Sequence, residues 1–280
     1  MERELILATL TLSLCGPALL VSGSTRPLPS SDGCGRELER SRARRLWWPV
    51  AIPVLVFSLL LGWALQEPDV ADETVGRVVC AVALVFAMIW VRALARAIIS
   101  LLPRRGGSGA RTVGLLRPRI VIERDLALRL DTRELNAVHA HEQAHARHRD
   151  PLRIWLAQLV SDLQWPQPRA IARLASWRHA LELSRDEEAR ASGVDGADLA
   201  SAIIKAARYR VEGQVAGAAL VDAPQFADRI ARLLAPVPEP AERSSARWMP
   251  TLLSAAIAVA VVIGHAFGEA AVCALPGVQH

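Results

Sequence analysis

Lysine is nearly absent. Lys205 is the only one in 280 residues, so the net charge of +5 and the pI of about 9.6 rest on arginine. An arginine bias of this kind is what a GC-rich genome produces, and no direct nucleic-acid contact is read from it. Cysteine is also scarce. Cys15, Cys34, Cys80 and Cys273 have neither metal-site spacing nor a paired pattern. That argues against a disulfide framework and against thiolate-bound zinc. No internal repeat is visible. What the chain does have is long uncharged stretches: 52% of it is hydrophobic, yet 22% is charged. Such a mixture predicts apolar blocks alternating with soluble segments.

Three blocks are long enough for a bilayer core, which needs about 20 helical residues. They are Leu5 to Gly23, Leu46 to Leu65, and Trp248 to Gly268. A fourth, Val78 to Val91, continues apolar to Leu102 and is broken only by Arg92 and Arg96. Arginines near one end of a span can snorkel to the headgroups, so this block is read as a span rather than an interfacial helix. The first block follows Met1-Glu2-Arg3-Glu4, which lacks the basic start of a signal peptide, and is read as a retained span. Residues 24–45 and 104–119 are rich in arginine, whereas residues 66–77 carry Glu67, Asp69, Asp72 and Glu73 against Arg77. The positive-inside rule then places the arginine-rich segments in the cytoplasm. The expected organisation is three transmembrane helices within 1–103 (about 5–23, 46–65 and 78–102), a cytoplasmic domain over 104–247, and a fourth span with a short external tail over 248–280.

The soluble segment reads as mainly α, with a small sheet. Arg119 to Glu123 is a β-branched run after Pro118 and predicts a strand. Leu126 to Leu130 is ambiguous. Asp131 and Glu134 have capping-box spacing and open a helix that ends near Asp150-Pro151. Further helices are expected from Pro151 to Gln164, Arg169 to Ser192 (stopped by Gly193), Ala197 to Tyr209 and Pro224 to Leu234.

The helix opened at Asp131 carries His141-Glu142-Gln143-Ala144-His145. Histidines four apart share one helix face and can reach a single Zn²⁺. Glu142 lies about 100° around the helix, where its carboxylate can act on water rather than fill a ligand position. Catalytic zinc takes three protein ligands, and the next long helix offers Glu182, Asp186, Glu187 and Glu188. Helical projection puts Glu182 on a side with Ile171, Leu174, Ala175, Leu181 and Ala189, with Asp186 at its edge. It turns Arg178 and Arg185 inward, toward these carboxylates or Asp150, and Glu187 toward solvent. Both Glu182 and Asp186 stay open as third ligand on this reading. His139 lies off the ligand face. His148 reads as a solvated helix end, and His179 as a weak competitor for the metal.

His141-Glu142-Gln-Ala-His145 followed by Glu182 and Asp186 resembles the gluzincin pattern HExxH…ExxxD. With the apolar spans, Arg117-Pro118, His145-Ala-Arg-His-Arg-Asp150 and Arg229-Ile-Ala-Arg-Leu-Leu234, the chain resembles the BlaR/MecR-type antirepressor membrane metallopeptidases over residues 40–270. The resemblance implies one Zn²⁺ on His141, His145 and Glu182, Glu142 as general base, and Asp186 hydrogen-bonding a ligand histidine. It also implies a multi-pass bacterial cell-membrane protein with a cytoplasmic protease domain. The expected substrate is a cytosolic winged-helix repressor of the BlaI/MecI type. A second copy of the chain or a separate sensor protein is left open as a partner, beside membrane lipid. Relatives of this type carry a penicillin-binding sensor with a Ser-x-x-Lys motif. Here Ala202 stands three residues before Lys205, so that sensor is expected to be lacking. Two other functions remain open: an HtpX-like membrane quality-control protease, and a proteolytically silent zinc-binding regulator. The intact Glu142 argues against the silent reading.

Overall fold

The structure, a computed structural model, describes residues 2–24, 33–66, 77–102, 109–212 and 223–236. The expected fourth span over 248–268 lies outside them. The architecture is mainly helical with one two-stranded sheet. Three long helices come first: α1 (Glu2–Ser24), α2 (Gly35–Gln66) and α3 (Arg77–Leu101). Among the described residues one stretch, Val79–Leu101 of α3, is long and apolar enough to cross a membrane, with mean hydropathy 2.1. Leu84, Met88, Val91, Leu94 and Ile98 are exposed along it, an apolar surface that water disfavours. The apolar stretch of α1, Ala8–Leu20, is shorter.

Helix α2 begins eleven residues before the expected span. Residues 35–45, read as part of an arginine-rich loop, instead form a helical arm that packs along a later helix, α7 (Pro168–Ala191). Gly35 makes that approach possible: a Cβ there would lie 2.7 Å from the backbone of Leu183 and Ser184. Leu38 is buried with Ala180 and Leu183, and Leu46 with Ala157, Leu174, Trp177 and Leu181. The arginines therefore decorate a docked helix, not a free loop.

The sheet pairs β1 (Ala110–Val113) antiparallel with β2 (Arg119–Ile122), Ala110 opposite Ile122 and Val113 opposite Arg119. The ambiguous segment after β2 forms a single helical turn, α4 (Arg124–Ala127), which sinks Leu126 and Leu130 into a core with Val138, Ala202 and Ala206. Helix α5 (Thr132–Arg147) starts as expected. The Asp131 carboxylate accepts from the Arg133 and Glu134 N–H groups, and Glu134 accepts from the Asp131 N–H at 2.9 Å. Helix α6 (Asp150–Leu163) follows after a two-residue turn, then α7, α8 (Gly196–Glu212) and α9 (Ala223–Leu234). Helix α5 lies at the centre of the domain. Its small Ala137 packs with Ala189 of α7, Leu199 and Ala200 of α8 and Leu233 of α9.

The projection of α7 needs correction. Leu174, Leu181, Ala189 and Arg185 are buried as expected, but Ile171 is 60% exposed, Ala175 is exposed, and Arg178 points out to Gln158. Glu187 is partly covered and accepts the Gly35 N–H at 2.6 Å. The cause is packing on two sides. The α2 arm covers the face bearing Ala180, Leu183 and Ser184 while α5 covers the other, so one apolar stripe does not describe the helix.

Candidate metal centre

The helical spacing of α5 sets the site. His141 and His145 stack one turn apart, ring centroids 4.7 Å apart and nearly perpendicular, with Nε2 atoms separated by 3.1 Å. Glu182 enters from α7. Its carboxylate oxygens lie 3.5 Å from His141 Nε2 and 3.6 Å from His145 Nε2. One donor atom from each of the three falls within 4.8 Å of the others, so this group could hold a metal ion. No cysteine takes part, and two imidazoles with one carboxylate suit zinc among the common divalent ions.

Each imidazole has a carboxylate behind it. Asp150 Oδ2 is 2.9 Å from His145 Nδ1 in a buried hydrogen bond. Asp186 Oδ1 is 2.9 Å from His141 Nδ1, but off the ring N–H direction, so that contact is electrostatic rather than an aligned hydrogen bond. Both arrangements leave Nε2 facing Glu182. The turn between α5 and α6 places Asp150. Arg149 adopts a left-handed backbone (φ 51°), and the chain reverses fast enough for a residue five beyond His145 to reach its ring.

The surrounding charges are paired. Arg229 of α9 lies 2.9 Å from Glu182 Oε2, contacts both oxygens of Asp186 at 2.5 and 2.9 Å, and comes within 3.2 Å of His141 Nε2. Asp150, fully buried, also accepts from Arg185 at 2.5 Å and Arg153 at 2.7 Å. Burial alone would raise the carboxyl pKa values. Arg229 and the histidines outweigh it at Glu182 and Asp186, as His145 and Arg185 do at Asp150, and all three are held below the usual range. Burial would lower His145, yet Asp150 and Glu182 push it up to about 10.

Glu142 is buried on the adjacent face. The Thr112 hydroxyl of β1 lies 2.8 Å from its Oε2 and 2.9 Å from its backbone carbonyl. A cleft of about 390 Å³ opens over these groups, lined on one side by Ala110, Arg111 and Thr112 of β1 and on the other by Leu199, Ala202, Ile203 and Ala206 of α8.

The structure brings His141, Glu142, His145, Glu182 and Asp186 to one place. His139 is exposed, as expected. His148 is exposed and bonded to Glu188, and His179 pairs with Asp228 away from the cluster. Sequence reasoning did not find Thr112 or the contact of Asp150 with His145. Asp150 had a usable signal, an acidic residue at a helix start just beyond the motif; Thr112 had none.

A helix with two histidines one turn apart, a carboxylate from a second helix, and a shell of paired charges lie within one continuous segment. Residues 109–232 match the family model of the BlaR1 peptidase M56. The M56 match runs from the residue before β1 to near the end of α9, and so takes in every side chain of the cluster. It supports the BlaR/MecR-type resemblance and makes the segment a metallopeptidase domain acting on protein. Helices α1 to α3 lie outside the match. No curated protein and no solved structure matches the chain.

Proposed function

We propose that the chain is an integral membrane zinc metalloendopeptidase that cleaves a cytosolic protein, with a winged-helix repressor of the BlaI/MecI type as the favoured substrate. The observation that carries the peptidase reading is the convergence of His141, His145 and Glu182 beside a carboxylate, Glu142, that is not part of the donor set. Residues 104–247 would be the cytoplasmic domain, and residues 1–103 and 248–280 would supply four spans. The exposed apolar face of α3 and the arginine distribution support that arrangement.

The donor set fits zinc, which would be held by His141, His145 and Glu182. When bound, the ion supplies Lewis acidity, polarising the scissile carbonyl and lowering the pKa of water from about 15.7 to about 7. The rest falls to the chain. Glu142 removes a proton from the attacking water and returns it to the departing amine, with Thr112 fixing the orientation of its carboxylate. Asp150 bonds the Nδ1 edge of His145 and Asp186 lies against that of His141, which would leave both Nε2 atoms available to the ion. Arg229 offsets the charge of Glu182 and Asp186.

The test compares the cellular proteins cut by the wild type and by Glu142→Gln. One specific DNA-binding substrate, lost with the variant, supports the repressor reading. Many misfolded membrane substrates would instead favour quality control, and identical profiles would overturn the enzyme reading.

A further inference from the structure

The buried charge network around Asp150 does not stop at the M56 domain. Asp150 faces two guanidiniums with one negative charge. The second carboxylate comes from α2, outside residues 109–232. Glu39, itself buried, accepts from Arg153 at 2.5 Å and from Arg185 at 3.4 Å. The resulting chain, Glu39 to Arg153 and Arg185, then Asp150, then His145, links a long N-terminal helix to a candidate metal ligand through contacts of 3.4 Å or less. Arg185 has another carboxylate in reach, Glu188 at 3.4 Å, but Glu188 is shared with Arg147 and His148.

The position of Glu39 is fixed independently of this chain. Gly35 donates to Glu187, and Arg42 donates to the Ser176 carbonyl at 2.9 Å. Arg232 of α9 donates to the Gly33 carbonyl at 2.9 Å, just before α2 begins. Helix α2 is continuous from Gly35 to Gln66, and its apolar half begins at Leu46, about 10 Å along the axis from Glu39.

We propose that Glu39 is a positioning residue for the metal centre, acting through Arg153, Arg185 and Asp150 on His145, so that the seating of α2 against α7 sets how well the site holds its ion. The inference rests on the metallopeptidase reading. Without the Glu39 charge, Arg153 keeps Asp150 as its carboxylate and Arg185 keeps Asp150 and the shared Glu188, so both draw more on Asp150, which becomes a weaker partner for the His145 ring. Loss of a residue behind a metal ligand typically weakens metal binding about 10–100-fold. Glu39 is two contacts further out than Asp150, behind Arg153 and Arg185, so the lower end applies.

The test uses the full chain in detergent, with Zn²⁺ affinity read by competition with a chromophoric chelator and ligand geometry read from the visible bands of the Co²⁺-loaded protein. Glu39→Gln is expected to weaken Zn²⁺ about tenfold and to shift the Co²⁺ bands. Glu39→Asp should recover part of both. Adding Glu39→Gln to Asp150→Asn should cost nothing more, because both act through one path. Glu187→Gln, whose side-chain oxygen can still accept the Gly35 N–H and so keeps α2 seated, removes a nearby charge that does not reach Asp150 and should stay within about twofold. Unchanged Zn²⁺ affinity and Co²⁺ bands in Glu39→Gln, or fully additive losses in the double variant, would overturn the inference alone. A wild type that binds neither ion would overturn the metallopeptidase reading together with it.

Discussion

Replacing Asp150 with Asn should disable the site from behind without replacing a candidate ligand. Asp150 is fully buried; its Oδ2 meets His145 Nδ1 and Arg185 Nε, and its Oδ1 meets Arg153 and Arg185. All these partners donate. Asn keeps one acceptor oxygen, so its amide must point N–H groups at a guanidinium or at the imidazole. Arg185, 2% exposed, would then rely on Glu39 and Glu188, each at 3.4 Å. Removing one partner of a buried ion pair costs about 3–5 kcal/mol. At about 2–4 °C per kcal/mol for a domain of this size, the melting temperature should fall by roughly 6–20 °C. The second effect is separable. Weakening Zn²⁺ about 10–100-fold lowers the stabilisation gained from added Zn²⁺ by about 1.4–2.7 kcal/mol. Thermal unfolding with and without Zn²⁺, together with chelator competition below the transition, measures both terms. A variant that melts with the wild type and binds Zn²⁺ equally well would refute the assignment of Asp150 to both roles.

Two other expectations follow from the same structure. Buried Glu134 is held below its usual pKa because Lys205, Ser201 and the Asp131 N–H outweigh its desolvation. Its stabilisation is therefore present above about pH 4.5 and lost as pH falls through the lowered value. As pH falls below about 4.5 the wild type should lose more thermal stability than Glu134→Gln, and parallel curves there would contradict this. A reporter fused after Arg105 should signal cytoplasm, as the arginine distribution requires. An external signal would overturn the orientation.

Local chemistry made much of the site legible in the sequence. The Asp131 and Glu134 cap fixes where α5 begins, and with it the phase of His141, Glu142 and His145. The period of α7 turned Glu182 and Asp186 to the same side as Leu181 and Ala189. What escaped depends on partners distant in sequence. Strand β1 has a mixed composition, Ala-Arg-Thr-Val, and exists through its pairing with β2. The charged start of α2 looks like a solvated arm until α7 covers it, and the same cover defeats the simple projection that put Ile171 and Arg178 inside. Arg229 was visible only as part of a short motif, because its partners Glu182 and Asp186 lie more than forty residues away.

The central claim is that His141, His145 and Glu182 hold an ion while Glu142 performs the proton transfer. The most direct measurement is the zinc content and proteolytic turnover of Glu142→Gln beside the wild type. The account predicts about one zinc per chain in both proteins, with turnover in the variant reduced by at least about 10²-fold. Undiminished turnover in a variant that retains its zinc would contradict it.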